Sequence, residues 1–103
     1  MEIVSSIKRV LVNHTGRANA ITAKEISEAL KIHDNDSCSR TRALILETVK
    51  KHNLPLAADS RGYYLIDTKE EYIKYMRSLE HRISEIEGRK EIITENYFKN
   101  CDL

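Results

Sequence analysis

Apolar residues recur along this chain with helical spacing, interrupted once by a stretch typical of paired strands. The first helical pattern covers residues 2–14, and Thr15-Gly16 predicts its end. The apolar positions that share one face of this helix are Ile3, Val4, Ile7, Val10 and Leu11. Residues 19–21 are too few to assign and are interpreted as either a short strand or a plain loop.

A second, short helix is predicted by Thr22-Ala23-Lys24-Glu25, which has the form of a capping box. In that motif the threonine hydroxyl accepts from the glutamate amide, and the glutamate side chain accepts from the threonine amide. We expect this helix to bury Ile26, Ala29 and Leu30. The polar stretch 31–36 predicts a turn, because Asn and Asp side chains bond to nearby backbone groups.

A third helix is predicted from about Ser37 to Asn53-Leu54-Pro55, since the residue before a proline is forced out of the helical region. Its expected buried face consists of Cys38, Ile45, Val49 and part of Thr41 and Leu46. Its expected exposed face carries Arg40, Glu47 and Lys51.

A β-hairpin is predicted next. Leu56-Ala57-Ala58 and residues 63–66 form its strands, and residues 59–62 form its loop. Arg61 lies at the tip, and Gly62 is expected to adopt a positive φ.

A long last helix is predicted over residues 68–99, and Thr68-Lys69-Glu70-Glu71 resembles a second capping box. Residues separated alternately by four and three positions form a heptad row: Tyr72, Met76, Leu79, Ile83, Ile86, Lys90, Ile93 and Tyr97. Such a row is typical of a coiled coil, and a single polar member such as Lys90 fixes its register.

The heptad row predicts a homodimer. Flanking charges favour parallel pairing, because Arg82 would then meet Glu87 of the second copy, whereas antiparallel pairing would bring like charges together. Two alternatives stay open: Tyr72 to Leu79 could pack on the chain's own first helix, or the row could dock on another protein.

Composition is that of a folded, helix-rich chain, with 41% hydrophobic and 32% charged residues. The net charge of +1 and pI of about 7.8 argue against strong nonspecific nucleic-acid binding but allow a local basic face. Neither a membrane span nor a leader segment is visible, so we expect a cytoplasmic protein. The expected domains are 1–67, a helix over 68–99 and a tail over 100–103.

Enzymatic chemistry is not expected. Residues 33–36 lack the glycine and distal glutamate of a calcium loop, and the four histidines have no zinc-ligand spacing with either cysteine. We therefore expect no metal and no cofactor. Cys38 is interpreted as a buried structural thiol, the alternative being a redox sensor with a lowered pKa.

Three segments carry a family resemblance: Thr22 to Ile26, Ser39-Arg40-Thr41-Arg42, and Arg61-Gly62-Tyr63-Tyr64-Leu65. Their order resembles the winged helix-turn-helix superfamily. With the last helix included, the chain is similar to small phage and prophage winged-helix proteins. The resemblance implies a mainly α fold with a small β-hairpin. One departure is the long turn between the two helices, which is acidic at Asp34 and Asp36.

The resemblance implies a homodimeric regulator of transcription or replication origin use that binds double-stranded DNA. In that role Ser39, Arg40 and Arg42 would reach base edges and Arg61 the minor groove. The residues expected to contact phosphates are Lys24, Lys50, Lys51 and Arg17. The expected dimer interface is Tyr72, Met76, Leu79, Ile83, Ile86, Ile93 and Tyr97. Any one of the charged residues expected to contact DNA could equally be an ordinary solvated charge.

A second interpretation is a phage-like module that binds and inhibits a host or defence protein. It depends on the near-neutral charge, the long apolar row and tyrosines expected to be exposed. These tyrosines are Tyr63, Tyr64, Tyr72 and Tyr75. For a phage-encoded protein, the site of action would be the host cytoplasm.

Overall fold

The structure, a computed structural model, describes residues 2–101 and is mainly helical, with one two-stranded antiparallel hairpin. The elements in chain order are α1 (Ile3–Val12), α2 (Ala23–Ala29), α3 (Ser39–His52), β1 (Leu56–Asp59), β2 (Gly62–Leu65) and α4 (Lys69–Asn100). The fold class predicted from the sequence is confirmed at this level. The chain divides into two compact units, one ending at Glu71 and the other beginning at Tyr72.

The hydrophobic core of the first unit is built from its three helices, β2 and the loop residue Ile21, and Leu56 of β1 packs against it. Its buried members are Ile7, Leu11, Ile21, Ala23, Ile26, Cys38, Ile45 and Leu65. Burying an Ile or Leu side chain contributes about 1.5–3 kcal/mol, so this cluster supplies much of the stability of so small a unit. Cys38 is 7% exposed, which confirms the prediction of a buried thiol.

Helix α1 buries the face that its apolar spacing predicts, through Val4, Ile7 and Leu11. It ends at Val12, two residues earlier than expected, and the amide of Asn13 bonds to the carbonyl oxygen of Val10 at 3.1 Å. Helix α1 packs chiefly on α3.

Helix α2 begins with the predicted capping box. The Glu25 amide donates to Thr22 Oγ1 at 3.1 Å, and the Thr22 amide donates to Glu25 Oε1 at 3.0 Å. The bond from the Thr22 amide, followed by one from the Thr22 hydroxyl to the same carboxylate, holds the pKa of Glu25 below its ordinary value. The predicted buried face was partly wrong: Ala29 is exposed, and Ser27 is buried instead. The buried face is centred between Ile26 and Ser27, which turns Ala29 towards solvent.

Helix α3 begins at Ser39, two residues after the expected start, because Cys38 adopts a left-handed conformation with φ of 57°. At its other end Asn53 is also left-handed, with φ of 53°, so the helix stops before Pro55 adds its restriction.

The buried face of α3 differs from the prediction in two ways. Thr48 is fully buried, and its hydroxyl donates to the Leu44 carbonyl at 2.7 Å, which allows a polar side chain to enter the core. Leu46 is 55% exposed, and Val49 is only half-buried. The packed face therefore lies towards Thr41 and Thr48 and away from Leu46.

The predicted hairpin forms, with Leu56 opposite Leu65. Its bounds differ from the prediction: Asp59 and Gly62, expected in the loop, pair with each other, and β2 ends at Leu65. The free edge of β2 is covered by the preceding loop. Ile21 and Tyr63 exchange backbone hydrogen bonds of 2.8 and 2.7 Å. The short strand considered for residues 19–21 is therefore reduced to one bridge at Ile21, preceded by a 3-10 turn over Arg17–Asn19.

The position of Gly62 has no space for a side chain. Its φ is +124°, and a Cβ atom would lie 2.5 Å from the carbonyl oxygen of Ile21. The positive φ predicted for this residue is confirmed. The close approach of the Ile21 backbone is a second reason why only glycine fits at this position.

The tyrosines of β2 correct an expectation. Tyr64 is 4% exposed and belongs to the buried residues, while Tyr63 is half-buried. Neither is the freely exposed aromatic residue that the protein-binding interpretation assumed, because the hairpin turns Tyr64 towards the core.

Helix α4 spans 32 residues, and its predicted capping box is only half formed. The Glu71 amide donates to Thr68 Oγ1 at 3.1 Å, but the Glu71 carboxylate accepts from the amides of Arg17 and Asp67, each at 2.9 Å. The bond from the Arg17 amide, followed by that from the Asp67 amide, lowers the pKa of Glu71. Of the predicted tail, residues 102 and 103 lie outside the described residues. None of the helices described is long and apolar enough to cross a membrane.

Candidate functional site

The turn before α3 is organised by Asp34, which sequence reasoning interpreted as a turn residue and not as a cap of the helix. Its carboxylate accepts from the Thr41 amide at 2.6 Å, the Thr41 hydroxyl at 2.7 Å and the Arg40 amide at 3.2 Å. Asn35 adds a bond from its side-chain amide to Ser39 Oγ at 2.9 Å. Asp34 thus caps α3 from outside the helix, because its carboxylate accepts hydrogen bonds from amides of the first helical turn.

The pKa of Asp34 reflects two opposing effects. Partial desolvation raises this pKa, but the hydrogen bonds from Thr41, Asn35 and Arg40 lower it by more, and the net result is a pKa of about 2. Asp34 is therefore ionised at neutral pH. A clear sequence signal was absent, because an acid five residues before a helix matches no local capping motif.

Arg40 and Arg42, predicted to act together, lie on opposite flanks of α3. Residues two apart on a helix are separated by about 200°. Arg40 contacts the His33 carbonyl oxygen at 3.4 Å and borders a groove beside Ile3 and Leu44. Arg42 borders a different groove, next to the hairpin. The two side chains therefore border different grooves.

The groove beside Arg42 lies between α3, the start of α2 and the hairpin. Its lining residues are Thr22, Ala23, Arg42, Ala58, Asp59, Ser60, Gly62 and Tyr63. Two other predicted cations adjoin it in the chain: Lys24 follows Ala23, and Arg61 lies between Ser60 and Gly62. We call this the hairpin groove.

Asp59 fixes the hairpin loop and engages one predicted DNA contact. Arg17 Nε lies 2.5 Å from Asp59 Oδ2, and the Arg61 amide donates to Asp59 Oδ1 at 2.8 Å. Partial burial raises the pKa of Asp59, while the bond from Arg17 and that from Arg61 lower it to below its ordinary value. The same ion pair raises the pKa of Arg17. Arg17 is thus a structural link between two loops.

Lys51 is also paired, since its Nζ lies 2.8 Å from Glu2 Oε1. Within the described part of the chain, five of the predicted cations form no ion pair: Lys24, Arg40, Arg42, Lys50 and Arg61, of which Arg40 donates instead to the His33 carbonyl oxygen. Lys50 lies two turns beyond Arg42 on the same side of α3. The cations left for an external ligand therefore gather around the hairpin groove and the adjoining flank of α3.

The apolar row of α4 is exposed along most of its length. Ile83 is 55% exposed, Ile86 63%, Ile93 59% and Tyr97 64%. Met76 and Leu79 are half-buried. Isolated exposed Ile or Leu residues are common, but a row of them at heptad spacing is typical of a surface that binds another helix.

Residues 2–101 contain no group of three or more His, Cys, Asp or Glu side chains arranged to hold a metal ion. The Asp34 carboxylate of the 33–36 stretch bonds to backbone and hydroxyl donors instead.

Comparisons with protein-family models, curated proteins and solved structures found no match to this chain.

Proposed function

We propose that this chain is a winged helix-turn-helix protein of phage or prophage type that binds duplex DNA as a homodimer and regulates transcription or replication origin use. Helix α3 would be the recognition helix and the β1–β2 hairpin the wing. The order of helices and hairpin, with Ile21 paired to the free edge of β2, supports this assignment.

The observation that carries the proposal is the set of four unpaired cations around the hairpin groove. Arg42 would contact a guanine edge, and Lys24, Lys50 and Arg61 would contact the backbone or the minor groove. Arg17 and Lys51 are not assigned to phosphates, nor Arg40 to base reading, because each of these side chains has a partner within the chain. Ser39 would assist at the start of α3.

A second copy is the proposed partner of α4. The exposed apolar row fits an identical row, and Arg82 would meet Glu87 of the other copy in a parallel pair. A dimer would also compensate for the low net charge of each copy, since two half-sites bound together gain affinity through effective concentration.

The test is selection of bound duplexes from a random-sequence pool by the full chain, followed by fluorescence anisotropy on the enriched duplex. Three cations in each of two copies would neutralise up to about six phosphates, for a slope of log affinity against log salt of about −5. Failure to enrich any sequence, with no binding at 50 mM salt, would overturn the proposal.

The exposed row on α4 also supports a second candidate, a module that binds a host or defence protein through that helix and the hairpin surface. An apolar interface of this kind would be nearly insensitive to salt, in contrast to DNA binding. A partner captured from host lysate and retained in 500 mM salt, without DNA, would favour this candidate.

A further inference from the structure

Leu46 is an exposed apolar side chain in the middle of a charged helix face. It is 55% exposed, whereas its neighbour Ile45 is 1% exposed. One exposed leucine is ordinary on a protein surface. Its position is more informative, because Leu46 lies one turn after Arg42 and one turn before Lys50. The three side chains follow one another along the same side of α3 at steps of four residues.

From this position we infer that Leu46 reads a thymine by apolar contact with its C5-methyl group. The inference rests on the proposed DNA-binding function. In the major groove the thymine methyl is the apolar group that distinguishes base pairs, while guanine offers the acceptors that arginine prefers. Arg42 and Leu46 together would therefore specify a guanine and a thymine.

Helix geometry sets the spacing of these two bases. Residues four apart are separated by about 6 Å along the helix axis, close to the rise of two base pairs. Each half-site should thus contain a guanine and a thymine no more than about two base-pair steps apart. Glu47, the next exposed residue, carries a charge that phosphates repel, so this part of α3 is suited to base edges rather than the backbone.

The experiment uses the duplex selected by the full chain. Each thymine is replaced in turn by deoxyuridine, which lacks only the methyl group. For the wild-type chain, one position in each half-site should lose affinity by about fourfold, the value expected for one buried methyl group. For Leu46→Ala, the same replacement should have no effect. Because Leu46 is exposed and Ala favours helix, this variant should fold normally.

Val12→Ala is the matched control, since Val12 is an exposed apolar residue of α1 at 48% exposure. It should keep the full methyl effect. If a duplex is selected but no thymine methyl matters, or if Leu46→Ala retains the effect, Leu46 is not the reader and the DNA-binding proposal stands. If no duplex is selected, the proposed function and this inference fail together.

Discussion

The carboxylate of Asp34 accepts hydrogen bonds from both the amide and the hydroxyl of Thr41, seven residues further along the chain, at 2.6 and 2.7 Å. This relationship fixes the start of α3, the helix on which the proposed function depends. It also explains why an acidic turn can precede the proposed recognition helix: backbone donors at the start of that helix bind the carboxylate.

Asp34→Ala should destabilise the first unit, because it removes the cap of α3. The midpoint of thermal unfolding followed by circular dichroism should fall by about 4–8 °C. Asp36→Ala is the matched control, since Asp36 is an exposed acid in the same turn and is not among the residues that cap α3. Equal midpoints for the two variants would contradict the capping role.

The same residue predicts a pH dependence. The pKa of Asp34 is lowered from 3.8 to about 2 on folding, so its contribution to stability is complete above about pH 4 and is lost as the pH falls through 2. The difference in unfolding midpoint between wild type and Asp34→Ala should therefore be constant from pH 7 to 4 and shrink towards pH 2. A difference that persists unchanged at pH 2 would show that the charge of Asp34 is not responsible.

Gly62→Ala should destabilise the hairpin by more than about 1 kcal/mol, because the new Cβ atom would meet the Ile21 backbone at 2.5 Å and φ is +124°. Thermal unfolding measures the loss. Gly88→Ala provides the control: no atom lies within 4 Å of its Cβ position, so the substitution should leave the first unit unchanged and favour α4.

Arg42→Ala and Arg40→Ala should differ in DNA binding. Arg42 borders the hairpin groove, so its loss should cost about 1–3 kcal/mol in affinity for the selected duplex. Arg40, on the other flank, should change the affinity by less than about threefold. Anisotropy titrations at one fixed salt concentration compare the two. A larger loss for Arg40 than for Arg42 would reverse the assignment of the reading flank.

Ile83→Asp should convert the proposed dimer into monomers, because it buries a charge in the middle of the apolar row. Light scattering gives the mass. Ser84→Asp introduces the same charge one residue away from the row and should leave the dimer intact. An unchanged mass for Ile83→Asp would remove α4 pairing from the proposal.

The exposed Cys101 distinguishes parallel from antiparallel pairing of α4. In a parallel pair the two Cys101 thiols lie at the same end and should form an intermolecular disulfide under mild oxidation. In an antiparallel pair they lie at opposite ends of a 32-residue helix, about 48 Å apart. Non-reducing electrophoresis shows the outcome. Cys101→Ser should abolish the cross-link, because Cys38 is buried.

Features set by interactions between near neighbours could be predicted from the sequence alone. The helical spacing of α1, the Thr22 capping box and the left-handed Gly62 each depend on residues within a few positions of one another. The hairpin strands and the length of α4 also followed from local patterns. Helix and turn preferences act at this range, so one segment contains the information that determines them.

Only the tertiary structure decided which candidate site residues are free. Arg17 meets Asp59 across 42 positions, and its amide meets Glu71 across 54. The groove that each of Arg40 and Arg42 borders follows from the way α3 packs, as does the exposure of Leu46. These outcomes depend on how distant segments are brought together by the core. A local pattern gives the chemistry of a side chain, whereas the packing of the elements decides what that side chain contacts.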